Sequence, residues 1–309
     1  MLNILITGGA GFIGSNLAER LASDSNNRVV IVDNLSTGRK AYIPKGHNVE
    51  FVKADVNNFD MLASVFKKNK FDYVYHYAAV VGVERTLQNP LKVLRDIDGI
   101  RNILDLSNDN GVTRVFYSSS SEVYGEPVEM PQHEETTPLN SRLPYAVVKN
   151  VGESFLRSYR QEYGLDYTIF RFFNTYGPRQ STDFVVSKFL DAALKGKDIT
   201  IYGRGRQTRT FCYIDDNVEA SIRAINDKTT LNQVINIGND KEISVINLAK
   251  EALKITGSKS KIIYLPALEE GDMTRRKPDA SKMRRLLGRK YTSMDEGIRR
   301  LIKYWNISA

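Results

Sequence analysis

Short, almost uninterrupted apolar runs alternate with amphipathic stretches through the first half of the chain. Leu2–Thr7, Arg28–Asp33, Val49–Val56, residues 73–81, Arg114–Ser118 and Tyr167–Arg171 read as strands. Runs this short and this apolar suit strands covered on both faces, as in a parallel sheet. The segment Ser15–Ala22 is amphipathic at helical spacing and follows the first run directly. Strand and helix alternate in this way to about residue 175, which predicts an α/β fold, a doubly wound parallel sheet with helices on both faces. Beyond Tyr176 the pattern loosens. Gly177-Pro178 breaks the chain, a helix is expected over Phe184–Lys195, and Ile199-Thr-Ile-Tyr-Gly203 leads into a basic glycine loop. Thr210–Asp215 follows that loop, and the remainder, with Val234–Gly238 and helices near 244–256, 279–287 and 294–304, fits a smaller mixed domain. Asp215 and Asp216 are expected as N-caps of a helix over Asn217–Asn226. The division predicted is a sheet domain over residues 1–175, rejoined by about 210–228, and a smaller mixed α/β domain over 176–209 and 229–309. A ligand is expected in the cleft between the smaller domain and the strand ends.

The first strand runs into Thr7-Gly-Gly-Ala-Gly-Phe-Ile-Gly14. Gly8, Gly11 and Gly14 lie between strand and helix, where a backbone without side chains can approach a pyrophosphate at the positive end of the helix. The second strand ends in Asp33, 19 residues after Gly14, close to the offset at which a carboxylate reaches an adenosine ribose. A carboxylate accepts from a free 2′-hydroxyl and repels a 2′-phosphate, so NAD is expected rather than NADP, with Arg39 and Lys40 nearby as the opposing influence. Asp55 ends the third strand near the adenine, or caps the next helix. Ala78 and Ala79 end the fourth strand in side chains small enough for a cofactor to pass. His76 reads as a packed strand residue, because no histidine or cysteine cluster accompanies it.

Composition narrows the partners. The net charge of +8 points to anionic ligands. The richest basic cluster, Arg275-Arg276-Lys277 with Lys282, Arg284, Arg285, Arg289 and Lys290, lacks interleaved aromatics and any nucleic-acid motif, so no nucleic-acid partner is expected. The single cysteine, Cys212, and scattered histidines at 47, 76 and 133 exclude a disulfide within the chain and predict no metal site. The first strand opens almost at Met1 with no leader before it, and no apolar run approaches a membrane span, so a soluble, cytoplasmic protein is expected.

A second chemical signal lies in Ser118-Ser-Ser-Ser-Glu-Val-Tyr-Gly125 and Tyr145-Ala-Val-Val-Lys149. Tyrosine and lysine four apart share one helix face. A nearby ammonium favours the phenolate and turns a weak acid into a usable base. Ser120 could then hold a substrate oxygen while Tyr145 moves its proton. The competing reading makes Tyr145 an amphipathic core residue and Lys149 a solvated charge.

Together these motifs resemble the extended short-chain dehydrogenase/reductases that modify nucleotide sugars: epimerases, 4,6-dehydratases and decarboxylases. The resemblance covers essentially the whole chain. Its other anchors are Asp33–Gly38, Arg171-Phe-Phe-Asn-Thr-Tyr-Gly-Pro-Arg179 and Gln207-Thr-Arg-Thr-Phe211. It implies a Rossmann-type sheet and bound NAD, held by Gly8, Gly11, Phe12, Ile13, Gly14, Asp33, Asn34, Ser36, Asp55, Val56, Ala78, Ala79, Tyr145 and Lys149. It implies Tyr145 as base, Lys149 on the nicotinamide ribose, and Ser120 on the sugar 4-oxygen. Asn174, Arg179, Arg209 and Arg276 match substrate positions on the nucleotide side, where the alternative for each arginine at 209 and 276 is a surface ion pair. Arg85 and Glu84, in the loop that should face the sugar, are either sugar contacts or a surface pair.

The reaction class turns on the residues after Ser120. Dehydratases of this group usually carry Asp-Glu there; this chain has Ser121-Glu122. Simple 4-epimerases usually have a small or uncharged residue in place of Glu122. Ser-Glu-Val-Tyr-Gly and Arg142 look most like UDP-glucuronate decarboxylases, including UDP-xylose synthases, and an arginine suits a carboxylate substrate. Pro144 before the tyrosine is instead the residue of the epimerases. The expected activity is therefore UDP-glucuronate decarboxylation. An NDP-sugar 4-epimerase (UDP-glucose, UDP-GlcNAc or UDP-glucuronate) or a 4,6-dehydratase are the alternatives, and a non-catalytic NAD-binding regulator the remote one. A homodimer paired through a four-helix bundle is implied by resemblance alone.

Overall fold

The computed structural model describes residues 1–267 and 274–308. They form two compact units. The first comprises residues 1–123, 141–171 and 218–235; the second comprises 124–140, 172–217 and the described residues from 236 onward.

The first unit is built on β1 (Leu2–Thr7), α1 (Phe12–Ala22), β2 (Asn27–Asp33), β3 (Val49–Lys53), α2 (Phe59–Lys68) and β4 (Tyr73–His76). There follow α3 (Val83–Gln88), α4 (Pro90–Leu94), α5 (Asp96–Asp109), β5 (Arg114–Ser120), α6 (Pro144–Tyr163) and β6 (Asp166–Phe172). The strands lie in the order β3-β2-β1-β4-β5-β6, with Gln233–Ile237 beside β6 as a seventh strand. From β3 to β5 every pairing is parallel, with Thr7 level with Val32 on one side and His76 on the other. The order reverses direction at β1, and at such a switch point the strand ends open a crevice for a ligand. Ile4–Ile6, Val29–Val32 and Val115–Tyr117 are all buried, which explains their unbroken apolar runs.

The fourth strand stops at His76, short of the expected residue 81. The Tyr77 N–H is shared between the Thr7 carbonyl and Thr7 Oγ1, at 3.2 Å each, and the Ala78 N–H donates to the same Oγ1 at 3.2 Å, so a side chain joins the last backbone bond and turns the chain across the end of β1. Asp55 is not the cap of α2. Asn58 is, accepting from the Met61 N–H at 3.0 Å, while Asp55 accepts from the Asn57 N–H and holds the turn before it.

The unit boundaries differ from the expected ones at two places. Residues 124–140 pack in the second unit, because the Tyr124 hydroxyl donates to Asn236 and Gln132 exchanges backbone bonds with Lys277 and Asp279. The chain rejoins the first unit over 218–235, where the Tyr75 and Tyr77 hydroxyls bond Ser221 and Arg114 donates to the Ala224 carbonyl. Asp215 and Asp216 also depart from expectation. The helix begins at Ile214, so both lie inside its first turn, where their charge suits the helix dipole. Each is paired in the second unit, Asp215 with Arg300 and Asp216 with Arg289.

Candidate active site

β1 delivers the chain to Gly8, whose φ of +69° and close neighbours both demand glycine: a Cβ there would stand 2.8 Å from the Ala78 nitrogen. At Gly14 a Cβ would stand 2.3 Å from the Gly8 carbonyl, so α1 can pack this close to the loop only without a side chain. No side chain caps the start of α1 at Gly11, and its first-turn N–H groups face the loop as an anion site. Phe12 and Ile13 are the first two residues of that turn. The loop is held in shape by Asp33. One carboxylate oxygen accepts from the Ala10 N–H at 3.0 Å and the other from the Leu35 N–H at 2.7 Å. A carboxylate has about four acceptor sites, so two remain for ribose hydroxyls. Asn34 links the same turn to Asp55, donating at 3.1 Å, and accepts from the Ser36 N–H. Val56 is buried beneath, and Ala78 and Ala79 lie beside the loop, half-buried. A glycine cradle, an uncapped helix start and a strand-end carboxylate together fit an adenine dinucleotide with a free 2′-hydroxyl.

The second cluster stands at the end of β5 and the start of α6. Ser120 Oγ accepts from the Glu122 N–H at 3.1 Å, which leaves its own proton to donate to a ligand oxygen. Tyr145 occupies the second position of α6, half-buried against the apolar core. Lys149 follows one turn later and is only 3% exposed, so it is no solvated surface charge. Its Nζ lies 5.7 Å from the centre of the Tyr145 ring and 5.0 Å from that of Tyr117. Burial pushes the Lys149 amine down to about 8, and the Asp96 carboxylate opposes the fall. Asp96, in turn raised by burial, accepts from the Val80 N–H at 2.7 Å. The Tyr117 ring can face Lys149 because α6 carries Gly152 opposite it; a Cβ there would lie 2.3 Å from the Tyr117 hydroxyl.

Sequence reasoning missed the support behind this cluster. Ser119 donates to Glu153 at 2.7 Å, and Arg171 grips the same carboxylate with two bonds of 2.8 and 2.7 Å. Glu153 lies one turn beyond Lys149 on α6, and that i,i+4 spacing of charged residues on a helix with an apolar face was the available signal. Ser121 is buried and Glu122 half-buried, both in the single turn after β5. Arg142 is exposed and makes no hydrogen bond or ion pair with any described residue. Arg85 turns back to donate to the Val81 carbonyl at 2.8 Å, and the side chain of Glu84 lies outside the described residues.

The second unit holds the remaining predicted residues. Arg209 and Arg276 are 9% and 5% exposed, so neither sits at the surface. They flank one backbone, for Arg276 N–H donates to the Thr208 carbonyl at 3.3 Å and Arg209 Nη1 to the same oxygen at 2.8 Å. Asn174 and Arg179 both have positive φ, +34° and +73°, and Asn174 donates to the Thr210 carbonyl at 3.0 Å. The rest of the basic cluster is largely neutralised: Arg275 and Lys277 meet Glu242, Lys282 meets Glu135 and Arg284 meets Asp240. Among the described residues no group of histidine, cysteine and carboxylate side chains could hold a metal, and no helix is long and apolar enough to cross a membrane.

Residues 4–238 match the family described as "NAD dependent epimerase/dehydratase family". The chain belongs to that family. Its cofactor is NAD, and its members are nucleotide-sugar enzymes. This epimerase/dehydratase-family chain is 37% identical over 308 residues to a putative UDP-glucose 4-epimerase of Methanocaldococcus jannaschii, covering 97% of each chain. It is 35% identical over 310 residues to UDP-glucuronic acid decarboxylase 1 of Xenopus tropicalis, covering 98% of this chain and 72% of that one. The crystal structure of Thermotoga maritima UDP-glucose 4-epimerase with UDP-glucose superposes with a TM-score of 0.93 at 32% identity, covering 99% of both chains.

Proposed function

We propose that the chain decarboxylates UDP-glucuronate. What carries this reading is Arg142, a guanidinium left unengaged among the described residues, three positions before Tyr145. A sugar carboxylate is a substrate group that a planar guanidinium can grip with two parallel hydrogen bonds. The neighbouring Ser-Glu in place of Asp-Glu supports it, since the buried Ser121 hydroxyl is a poor acid for expelling a sugar hydroxyl as water.

In this reading Ser120 donates its free proton to the sugar 4-oxygen, and Tyr145 takes the proton from the 4-hydroxyl. The Lys149 ammonium stabilises the Tyr145 phenolate that accepts this proton, and is proposed to bind the nicotinamide ribose. Bound NAD supplies the acceptor for the C4 hydride. Oxidation at C4 makes the C6 carboxylate a β-keto acid: the C5–C6 bond breaks, CO2 leaves, and its electron pair forms an enolate that is protonated at C5. Glu122, in the turn after β5, is proposed to handle that proton. Arg209, Arg276, Asn174 and Arg179 are proposed to hold the nucleotide diphosphate, and Arg85 to lie near the sugar. The working form is proposed to be a cytoplasmic homodimer.

A UDP-sugar 4-epimerase is the second reading, favoured by Pro144 at the first position of α6, where the epimerases carry proline. One experiment separates the two. The protein is incubated with NAD and UDP-glucuronate, UDP-glucose and UDP-GlcNAc, and product masses are read. Loss of CO2 from UDP-glucuronate is expected. Unchanged mass with altered ring couplings by NMR would establish the epimerase, loss of water a dehydratase, and no turnover of UDP-glucuronate overturns the first reading. Tyr145→Phe is expected to abolish turnover while leaving NAD binding intact.

A further inference from the structure

A continuous set of hydrogen bonds runs behind the candidate site, through residues that have no part in the reading above. It starts at Thr7, the last residue of β1. Thr7 Oγ1 accepts from the Tyr77 and Ala78 N–H groups, so its single proton is directed to His76 Nδ1, 2.8 Å away. That assigns the imidazole proton to Nε2 and leaves the ring neutral. Burial depresses the His76 imidazole to about 3, with the charge of Lys149 opposing protonation as well. His76 therefore places no positive charge beside Lys149 at any working pH.

The backbone of His76 carries the chain onward. Ser118 Oγ donates to the His76 carbonyl at 3.2 Å, an oxygen that can only accept. With that proton committed, the remaining capacity of Ser118 Oγ is for accepting, and the donor it meets is Lys149 Nζ at 3.4 Å. We infer that Ser118 is a positioning residue for Lys149, anchoring its ammonium to the end of β4 and thereby fixing the lysine relative to Tyr145.

The surroundings leave Lys149 few other holds. His76 faces it from β4, the Tyr117 ring from β5, Asp96 from the start of α5 and Tyr145 from its own helix. Tyr117 and Tyr145 offer only ring faces to the ammonium, worth a modest cation–π attraction each. Asp96 acts on Lys149 through its charge, opposing the fall that burial causes. Ser118 supplies the directional contact. Because Ser118 and the glycine loop share His76 and Thr7, the lysine and the dinucleotide loop are set by one framework.

The inference rests on Lys149 and Tyr145 forming the proton-transfer pair, and the test keeps the two apart by observing the lysine directly. The full chain is labelled with [ε-13C]lysine, and the Lys149 signal is assigned by its loss in Lys149→Met. In Ser118→Ala the Lys149 signal is expected to move, and its titration midpoint to fall by about one pH unit, as the cation loses an acceptor. Ser118→Thr, which keeps the hydroxyl, is expected to restore the midpoint. With a turned-over substrate, kcat is expected to fall about tenfold in Ser118→Ala with KM unchanged. An unchanged Lys149 shift and midpoint in a folded Ser118→Ala protein that retains NAD binding overturns the inference, whatever the substrate proves to be. A loss of thermal stability alone, without movement of the Lys149 signal, overturns it equally. Failure of the substrate panel with a shifted Lys149 midpoint would overturn the proposed reaction and leave Ser118 in its assigned role.

Discussion

Arg171 holds Glu153 through two parallel hydrogen bonds in a site where neither side chain is more than 2% exposed. The Glu153 carboxyl is held below the usual range even though burial alone would raise it, because Arg171, Ser119 and Arg157 all favour the charged form. The pair ties α6, which carries Tyr145 and Lys149, to β6, and through Ser119 to the strand that carries Ser120.

Removing one partner of such a pair leaves the other charge buried and unpaired. Glu153→Gln is therefore expected to destabilise the protein by about 3–5 kcal/mol. The wild-type contribution is present above the unfolded carboxyl range and is lost as pH falls through the lower folded value. Urea unfolding of both proteins from pH 7 down to pH 3 checks this. The two curves should converge at the acid end, and a constant gap across that range would contradict the ion-pair account.

Lys149 has the opposite sign. Its folded value of about 8 lies below the ordinary 10.5, so folding disfavours its protonated form. Below pH 8 both states are protonated and burying the cation costs stability in full. Between pH 8 and 10.5 the unfolded state binds more protons, so stability rises with pH. Lys149→Met, measured without added NAD, is expected to be more stable than wild type at pH 7 by about 1–3 kcal/mol. The gain should shrink as pH approaches 10.5. Thermal melts across pH 7 to 10 read it, and a Lys149→Met protein that melts lower throughout would show the lysine to be well solvated by its neighbours.

At Gly152 the helix accepts a residue that is intrinsically unfavourable by about 1 kcal/mol against alanine. An added Cβ would lie 2.3 Å from the Tyr117 hydroxyl and 2.5 Å from its ring carbon. Gly152→Ala is therefore expected to destabilise the fold despite alanine's better helix propensity, by about 1–3 kcal/mol. It should also disturb the Tyr117 ring that faces Lys149. A stabilised Gly152→Ala protein in chemical denaturation would mean that Tyr117 yields freely.

Asp33 uses both carboxylate oxygens to accept backbone N–H groups of the loop it borders. Asp33→Asn keeps the shape but turns one acceptor into a donor, which then faces an N–H. NAD affinity is expected to fall at least tenfold, with a loss of about 1–3 kcal/mol in stability from the orphaned donor. NADP affinity should change less, since a repulsive charge is removed at the same time. Calorimetric titration with the two nucleotides checks both, and unaltered NAD affinity would remove Asp33 from the cofactor site.

Much of this was legible along the chain. The alternation of apolar runs and amphipathic helices established a parallel α/β sheet, because a strand buried on both faces has no polar face to show. The glycines at 8 and 14 and the acid at 33 marked the loop, since backbone conformation and close approach exclude other residues there. Tyr145 and Lys149 were visible as a pair, because four residues make about one helical turn. Local periodicity could not reveal what those residues meet from other elements. Whether Lys149 was solvated or buried depended on β4 and β5 closing over it, and the roles of Ser118, Glu153 and Gly152 depend on partners 42, 18 and 35 residues away in the chain. Beyond His76 the Ala78 N–H goes to a threonine hydroxyl of β1, a partner that no window around β4 contains. Sequence spacing determines which side chains share a face; burial and the choice of hydrogen-bond partner are settled only when distant strands are brought side by side.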